Sequence, residues 1–442
     1  MGDDTTGEGA AGSTAPVGAL AEHATPLGTT EPSGPFPDTD GLDALLGGAQ
    51  VVGLGEATHG TREFFRLKHR LIRYLVLEHD LRVVAIEANV PETLAIDEYV
   101  VHGRGDPSAA LDGIYFWTWN VAAVLNLIEW LRGFNEGRPV EDRVRFYGLD
   151  VQYTTGAVGH LRGYFETVGE PVPEEIAAGL ETVDDSGRNP DRDENPEERL
   201  AAGKRVATAL RDHLDTHRTT YVERAGERAW WLARWQAAVI EEATAYRKHR
   251  VDQTDGDTAA MEQLLERRDR AMADNVDRVR EFEGGPVAVW AHDAHVNRSR
   301  HVVRGTDATS KPTGGYLADR HDTGYVAVGF SFAHGSFQAL GETAEGGYEL
   351  RAHAVDGPPS GSIEARLDAL GESPVLLDLR RAAEDSRLTD WLDRPQGTFS
   401  AGATYNPDRP AQYVTEFVPG EAFDAICHVT ETSRARPLGD DG

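Results

Sequence analysis

Val51-Val52-Gly53-Leu54-Gly55-Glu56-Ala57-Thr58-His59-Gly60 is the stretch on which the fold turns. Its first four residues are apolar or small, as in a strand buried on both faces. Glycines then punctuate a loop and permit a tight backbone path. A helix is predicted over 61–79, because Phe64, Leu67, Leu71, Tyr74 and Leu75 step by three and four. The apolar run from Val83 to Ile86 reads as a second buried strand. That strand-helix-strand order implies parallel strands joined by a crossover helix.

Further apolar runs bounded by turn residues lie at Val144 to Tyr147, Val287 to Trp290, Tyr325 to Phe330, Pro374 to Leu377 and Ala425 to Val429. A short helix over Leu42 to Leu46, stopped by Gly47-Gly48, precedes the first strand. Between 155 and 283 the strand signal disappears, and acidic, Arg-rich helical patterns replace it. Trp231, Trp235 and Val239 step by four, while Asp184 to Glu198 reads as a polar loop. The fold class expected is α/β, a mostly parallel central sheet flanked by helices, with a mainly helical insertion or cap. The organisation expected is a disordered or extended lead-in over 1–38, core over 39–154, insertion over 155–283, core again over 284–432, and a flexible tail over 433–442.

The 442 residues carry 74 Asp and Glu against 44 Lys and Arg, a formal net charge of −30. Lysine occurs only at 68, 204, 248 and 311. So negative a field repels nucleic acid and anionic membranes, and neither is an expected partner. It suits a salty interior, where screening shortens the reach of self-repulsion to a few ångströms. The single cysteine, Cys427, excludes an intrachain disulfide and reads as a buried structural thiol. The N-terminal segment lacks the pattern of a secretory signal, and no apolar run is long enough to span a membrane. The cytoplasm is the expected compartment.

Four strand ends carry chemistry. Glu56 and His59 lie three apart in the first loop, at the carboxyl end of a strand, where sites form in open α/β sheets. A carboxylate beside an imidazole orients the ring and raises its basicity, as a general base needs. A plain strand-to-helix turn with a solvated Glu and His is the structural alternative. Gly53-x-Gly55 is a near miss of the dinucleotide fingerprint, since Thr58 replaces the third glycine and Glu56 would repel a pyrophosphate. The second constellation is His292-Asp293-Ala294-His295, directly after Val287 to Trp290. Glu87 and Asp150 each end a buried run, where a carboxylate is costly unless paired, so an internal salt bridge is the alternative for both. No G-x-S-x-G elbow, Walker A loop or H-E-x-x-H motif occurs, which disfavours a covalent serine or cysteine hydrolase. Activation of water by a histidine base fits what remains.

Gly53 to Gly60, followed by Glu63-Phe64-Phe65 and Lys68, resembles the erythromycin esterase family. The likeness continues through Ile86-Glu87, Gly148-Leu149-Asp150, Ala291 to His295 and Phe423-Asp424-Ala425-Ile426, and so spans roughly 40–432. It implies an acidic, haloarchaeal-type member of a family that opens macrolide lactones by histidine-activated water, with no covalent intermediate. Carried over by position, His59 would be the base and Glu56 its orienting carboxylate. Glu87 would be a further acid. His292 and His295 would stabilise the oxyanion or pass a proton to the leaving alcohol. Lys68 and Asp150 would bind substrate. Lys68 departs from the family's arginine and so loses the planar fork. No cofactor is expected. The alternatives are a Zn- or Mn-dependent hydrolase using the same His/Glu cluster, and a non-catalytic binding protein of the same fold. The partner implied is a small-molecule ester or lactone.

Overall fold

A computed structural model describes residues 16–187, 195–252, 257–303, 306, 308–344 and 346–439. The chain forms two compact units: the first holds the residues up to 79, 291–305 and those from 317 on, and the second holds 80–290 and 306–316.

The first unit begins with helix α1 (Val17–Ala21) and strand β1 (Ala24–Pro26), both inside the expected lead-in. Helix α2 (Asp40–Leu46) and strand β2 (Val51–Leu54) follow, and every residue of β2 is buried. Helix α3 (Arg62–Glu78) buries Phe64, Phe65, Leu67, Leu71, Ile72 and Leu75 on one side. Each such side chain contributes about 1.5–3 kcal/mol on burial, which outweighs the modest helix propensity of the aromatic residues.

The second unit is built from β3 (Val83–Asn89), α4 (Leu94–His102), α5 (Pro107–Asp112), α6 (Ala122–Asn135) and β4 (Arg145–Asp150). Six helices follow: α7 (Thr155–Val168), α8 (Glu174–Val183), α9 (Pro196–Thr216), α10 (Arg218–Ala225), α11 (Glu227–Asp252) and α12 (Thr258–Glu283). No strand occurs among the described residues of 155–283. Of the expected polar loop, 188–194 lie outside the described residues, and Pro196 already opens α9. Strand β5 (Val287–Trp290) pairs with β3, and β3 with β4, all in parallel. All three strands are buried throughout, which is why their sequences run apolar instead of alternating.

The chain then completes the first unit. A single helical turn, α13 (Asp293–Val296), precedes β6 (Tyr325–Glu342), β7 (Tyr348–Val355), helix α14 (Ile363–Asp368), β8 (Val375–Asp378) and β9 (Ala425–Thr432). The strand order is β1-β8-β9-β6-β2, with β7 on the outer half of β6. β9 and β2 flank β6 in parallel, whereas β1, β7 and β8 pair antiparallel. The expected fold class is the observed one: mixed α/β, with a mostly parallel sheet flanked by helices. Among the described residues, no helix is long and apolar enough to cross a membrane.

At the two ends, residues 1–15 and 440–442 lie outside the described residues. Within the expected tail, the Ser433 backbone N–H and hydroxyl donate to Glu63 at 2.7 and 2.6 Å, and the Ala435 N–H donates to the Gly60 carbonyl at 2.8 Å.

Candidate active site

β2 hands directly into the loop that carries Glu56 and His59. The Gly55 N–H still donates to the Val328 carbonyl of β6 at 2.8 Å, so the loop leaves the sheet in register. A Cβ on Gly55 would lie 1.9 Å from Asp293 Oδ1, and one on Gly60 would lie 2.0 Å from the Gln338 carbonyl oxygen. Only glycine lets the chain pass so close at these two points.

Glu56 is fully buried, and both its oxygens have charged or ionisable partners. Oε1 lies 2.7 Å from His59 Nδ1, and Oε2 accepts from Lys68 Nζ at 2.6 Å. Lys68, on α3, is itself completely buried. A carboxylate at Nδ1 holds the neutral imidazole as the Nδ1–H tautomer, which leaves the Nε2 lone pair to take a proton. The ring retains 13% exposure, enough for a water to reach it. Lys68, expected to bind substrate, spends its ammonium on Glu56 and fixes which oxygen faces the histidine.

His292 sits one residue after Ala291, whose N–H donates to the Leu54 carbonyl of β2. Its ring centroid is 4.9 Å from that of His59. His292 caps α13: its Nδ1 accepts the Ala294 N–H at 3.1 Å, so the neutral ring carries its proton on Nε2. That atom is a donor, which is what a developing oxyanion needs. His295 lies in the same turn, partly exposed, with its backbone N–H donating to the His292 carbonyl. Asp293, between the histidines, is buried, and its own N–H donates to the Glu56 carbonyl at 2.9 Å. The first unit therefore brings Glu56, His59, Lys68, His292 and Asp293 together.

The second unit gathers the other two predicted acids. Arg268, from α12, donates through Nη2 to Glu87 Oε1 at 2.8 Å and through Nε and Nη2 to the two oxygens of Asp150 at 3.1 and 2.9 Å. Burial alone would favour a neutral guanidinium, but Asp150 and then Glu87 outweigh it and hold Arg268 well above its usual range. Both carboxylates thus occupy the internal salt bridge that was their structural alternative. Arg268 was not singled out in the sequence. It lies between Arg267 and Arg270 in an Arg-rich helix, and only the two buried acids awaiting a cation pointed to it. Among the described residues, no group of three or more His, Cys, Asp and Glu side chains is arranged to hold a metal ion.

The model of the erythromycin esterase family matches residues 76–432. The Bacillus subtilis protein YbfO is 22% identical over 394 residues, which cover 85% of this chain and 84% of that protein. A crystal structure of a Bacillus cereus protein superposes with a TM-score of 0.80 at 24% identity, covering 95% of this chain and 98% of that one. A mutant of erythromycin esterase EreC in its open conformation gives a TM-score of 0.64 at 18% identity, with coverages of 95% and 99%. At these identities the two structures establish the fold alone.

Proposed function

Because the chain belongs to the erythromycin esterase family of hydrolases, we propose that it cleaves a carboxylic ester or lactone with water activated by His59. The observation that carries this reading is the buried Lys68–Glu56–His59 relay, with His292 alongside. Water loses a proton to His59 Nε2 as its oxygen attacks the carbonyl carbon. The electron pair moves to the carbonyl oxygen, and the Nε2–H of His292 donates to that oxyanion. When the tetrahedral species collapses, the C–O bond breaks and the alkoxide takes up the proton, through His59 or His295. Ester plus water gives acid plus alcohol, and no covalent enzyme intermediate is formed. Glu56 holds the tautomer and disperses the charge of the imidazolium. Glu87 and Asp150 serve by fixing Arg268 as a permanent cation.

The substrate proposed for first trial is a macrolide lactone, as the name borne by EreC suggests, and resistance to such antibiotics would follow from turnover. The acidic composition places the enzyme, in our reading, in a salt-rich cytoplasm.

The test follows hydrolysis of erythromycin and a panel of simple esters and lactones in molar KCl, using wild type, His59→Ala and a chelator-treated sample. We expect turnover that survives chelation and falls about 10²–10⁴-fold in His59→Ala, the usual contribution of a general base. Activity lost to the chelator would establish a metal enzyme instead. A folded wild type that hydrolyses nothing in the panel would end the esterase reading.

A further inference from the structure

Asp293 is the one buried acid of the first unit's histidine cluster to which the mechanism gives no task. Its place is unusual. Both carboxylate oxygens face the Phe330 N–H of β6, at 3.1 and 3.3 Å. Oδ1 fills the space that a side chain on Gly55 would occupy. Its backbone N–H holds the Glu56 carbonyl. The same residue thus touches the backbone on both sides of the Gly55–Glu56 peptide and ties it to β6.

Glu56 must satisfy His59 and Lys68 with two oxygens less than 3 Å from their partners. Such a fork tolerates little rotation of the Glu56 backbone, because hydrogen bonds weaken steeply off axis. A positioned general base loses about 10²-fold in rate when it is misplaced by roughly 1 Å.

We propose that Asp293 is a positioning residue of the active site: its carboxyl is the wedge that sets the Gly55–Glu56 turn and so aims Glu56 at His59 and Lys68. The inference rests on the histidine-base reading for its catalytic consequence, but its geometry is independent of any substrate.

The task falls to the shape and position of the Asp293 carboxyl. Lys68 pairs with Glu56, and the charged and titratable groups that act on Asp293 include Lys68 from α3, Glu56 from the loop and Glu364 from α14, while Asp293 in turn acts on Cys427 from β9. Burial pushes the carboxyl well above the usual range, Glu56 and Glu364 add to this, and Lys68 and the Phe330 N–H oppose it without prevailing. An amide keeps the shape of the carboxyl and removes its ionisable group.

The experiment compares Asp293→Asn, Asp293→Ala, Gly55→Ala and the double variant Gly55→Ala/Asp293→Ala. For Asp293→Ala we expect kcat to fall about 10–100-fold with little change in KM, as for a base held slightly out of line. Asp293→Asn recovers most of that loss. Gly55→Ala is impaired by its clash with Oδ1, and the double variant is more active than Gly55→Ala alone, because the second change removes the nearer obstacle and leaves Val296 Cγ2, at 2.9 Å, the end of a side chain. A substrate-free readout runs beside the kinetics: the hydrogen-bonded Nδ1 proton of His59, followed by NMR on 15N-histidine protein. It should persist in Asp293→Asn and vanish or broaden in Asp293→Ala.

Unchanged kcat and an unchanged His59 proton signal in a folded Asp293→Ala would overturn the proposal. So would an asparagine variant as impaired as the alanine one. If wild type hydrolyses no ester, the esterase reading fails, while the NMR comparison still decides the role of Asp293.

Discussion

Glu56 meets His59 with one oxygen and Lys68 with the other, and removing either has a different consequence. Without His59 the carboxylate keeps its counter-ion. Without Lys68 the buried carboxylate loses the buried cation that pairs with it. Breaking a buried pair from one side costs about 3–5 kcal/mol, so Lys68→Met should lose stability of that order in a denaturant titration. It should also lose activity, since Oε2 is no longer held by Lys68 and Oε1 is no longer fixed toward the imidazole. A Lys68→Met protein as stable as wild type would mean that Lys68 is not the counter-ion. At this scale the sequence was partly legible. The three-residue spacing of Glu56 and His59 announced their meeting, because a short loop leaves few other places for them. Lys68 lies a further turn and a half along α3, and spacing alone does not say which acid a lysine will find. The partner of Glu87 and Asp150 was hidden for the same reason, more than a hundred residues away in α12.

Neighbouring elements, together with the side chains they carry, fix the loop of Glu56 and His59. α13 and β6 approach it so closely that its glycines are determined by their neighbours, Gly55 by the Asp293 carboxyl and Gly60 by the Gln338 backbone. A methyl group on Gly60 would press on the Gln338 carbonyl of β6, a rigid ladder position. Overpacking against well-packed structure costs about 1–3 kcal/mol, so Gly60→Ala should lower the unfolding midpoint and reduce kcat together. Full retention of both would show that β6 yields easily. The apolar runs located seven strands because strands buried on both faces need no alternation. β6 was seen only as far as Phe330, yet it runs to Glu342. Its outer half pairs with β7 and mixes polar with apolar residues, so the run that betrayed the inner half stops. β1 was missed because a Pro-rich segment reads as punctuation. At a sheet edge, however, the missing N–H of Pro26 is tolerated.

Across the whole molecule, the net charge of −30 sets how the protein answers pH and salt. Three histidines oppose protonation: burial pushes His69 down to about 3, and His160 and His428 down to about 4, from the ordinary 6.5. An unfolded chain therefore binds more protons than the folded one between pH 6.5 and about 4, so this part of the stability is present at neutral pH and lost as pH falls through that window. His428 alone, fully buried against Ser331, accounts for a change on the order of 3 kcal/mol. In molar KCl, where general charge repulsion is screened, His428→Asn should flatten the dependence of the unfolding midpoint on pH below 6.5. Parallel curves for variant and wild type would place the acid sensitivity elsewhere. Long-range closure of the chain has a consequence in time as well. Ser433 is bonded to Glu63 across 370 positions of sequence, and Ala435 to Gly60 beside it. At the usual pace of translation, that interval is roughly 20–70 s. During synthesis, the loop bearing His59 therefore leaves the ribosome long before its last braces exist, and the braced loop is complete only once the final strand and the residues just beyond it have emerged.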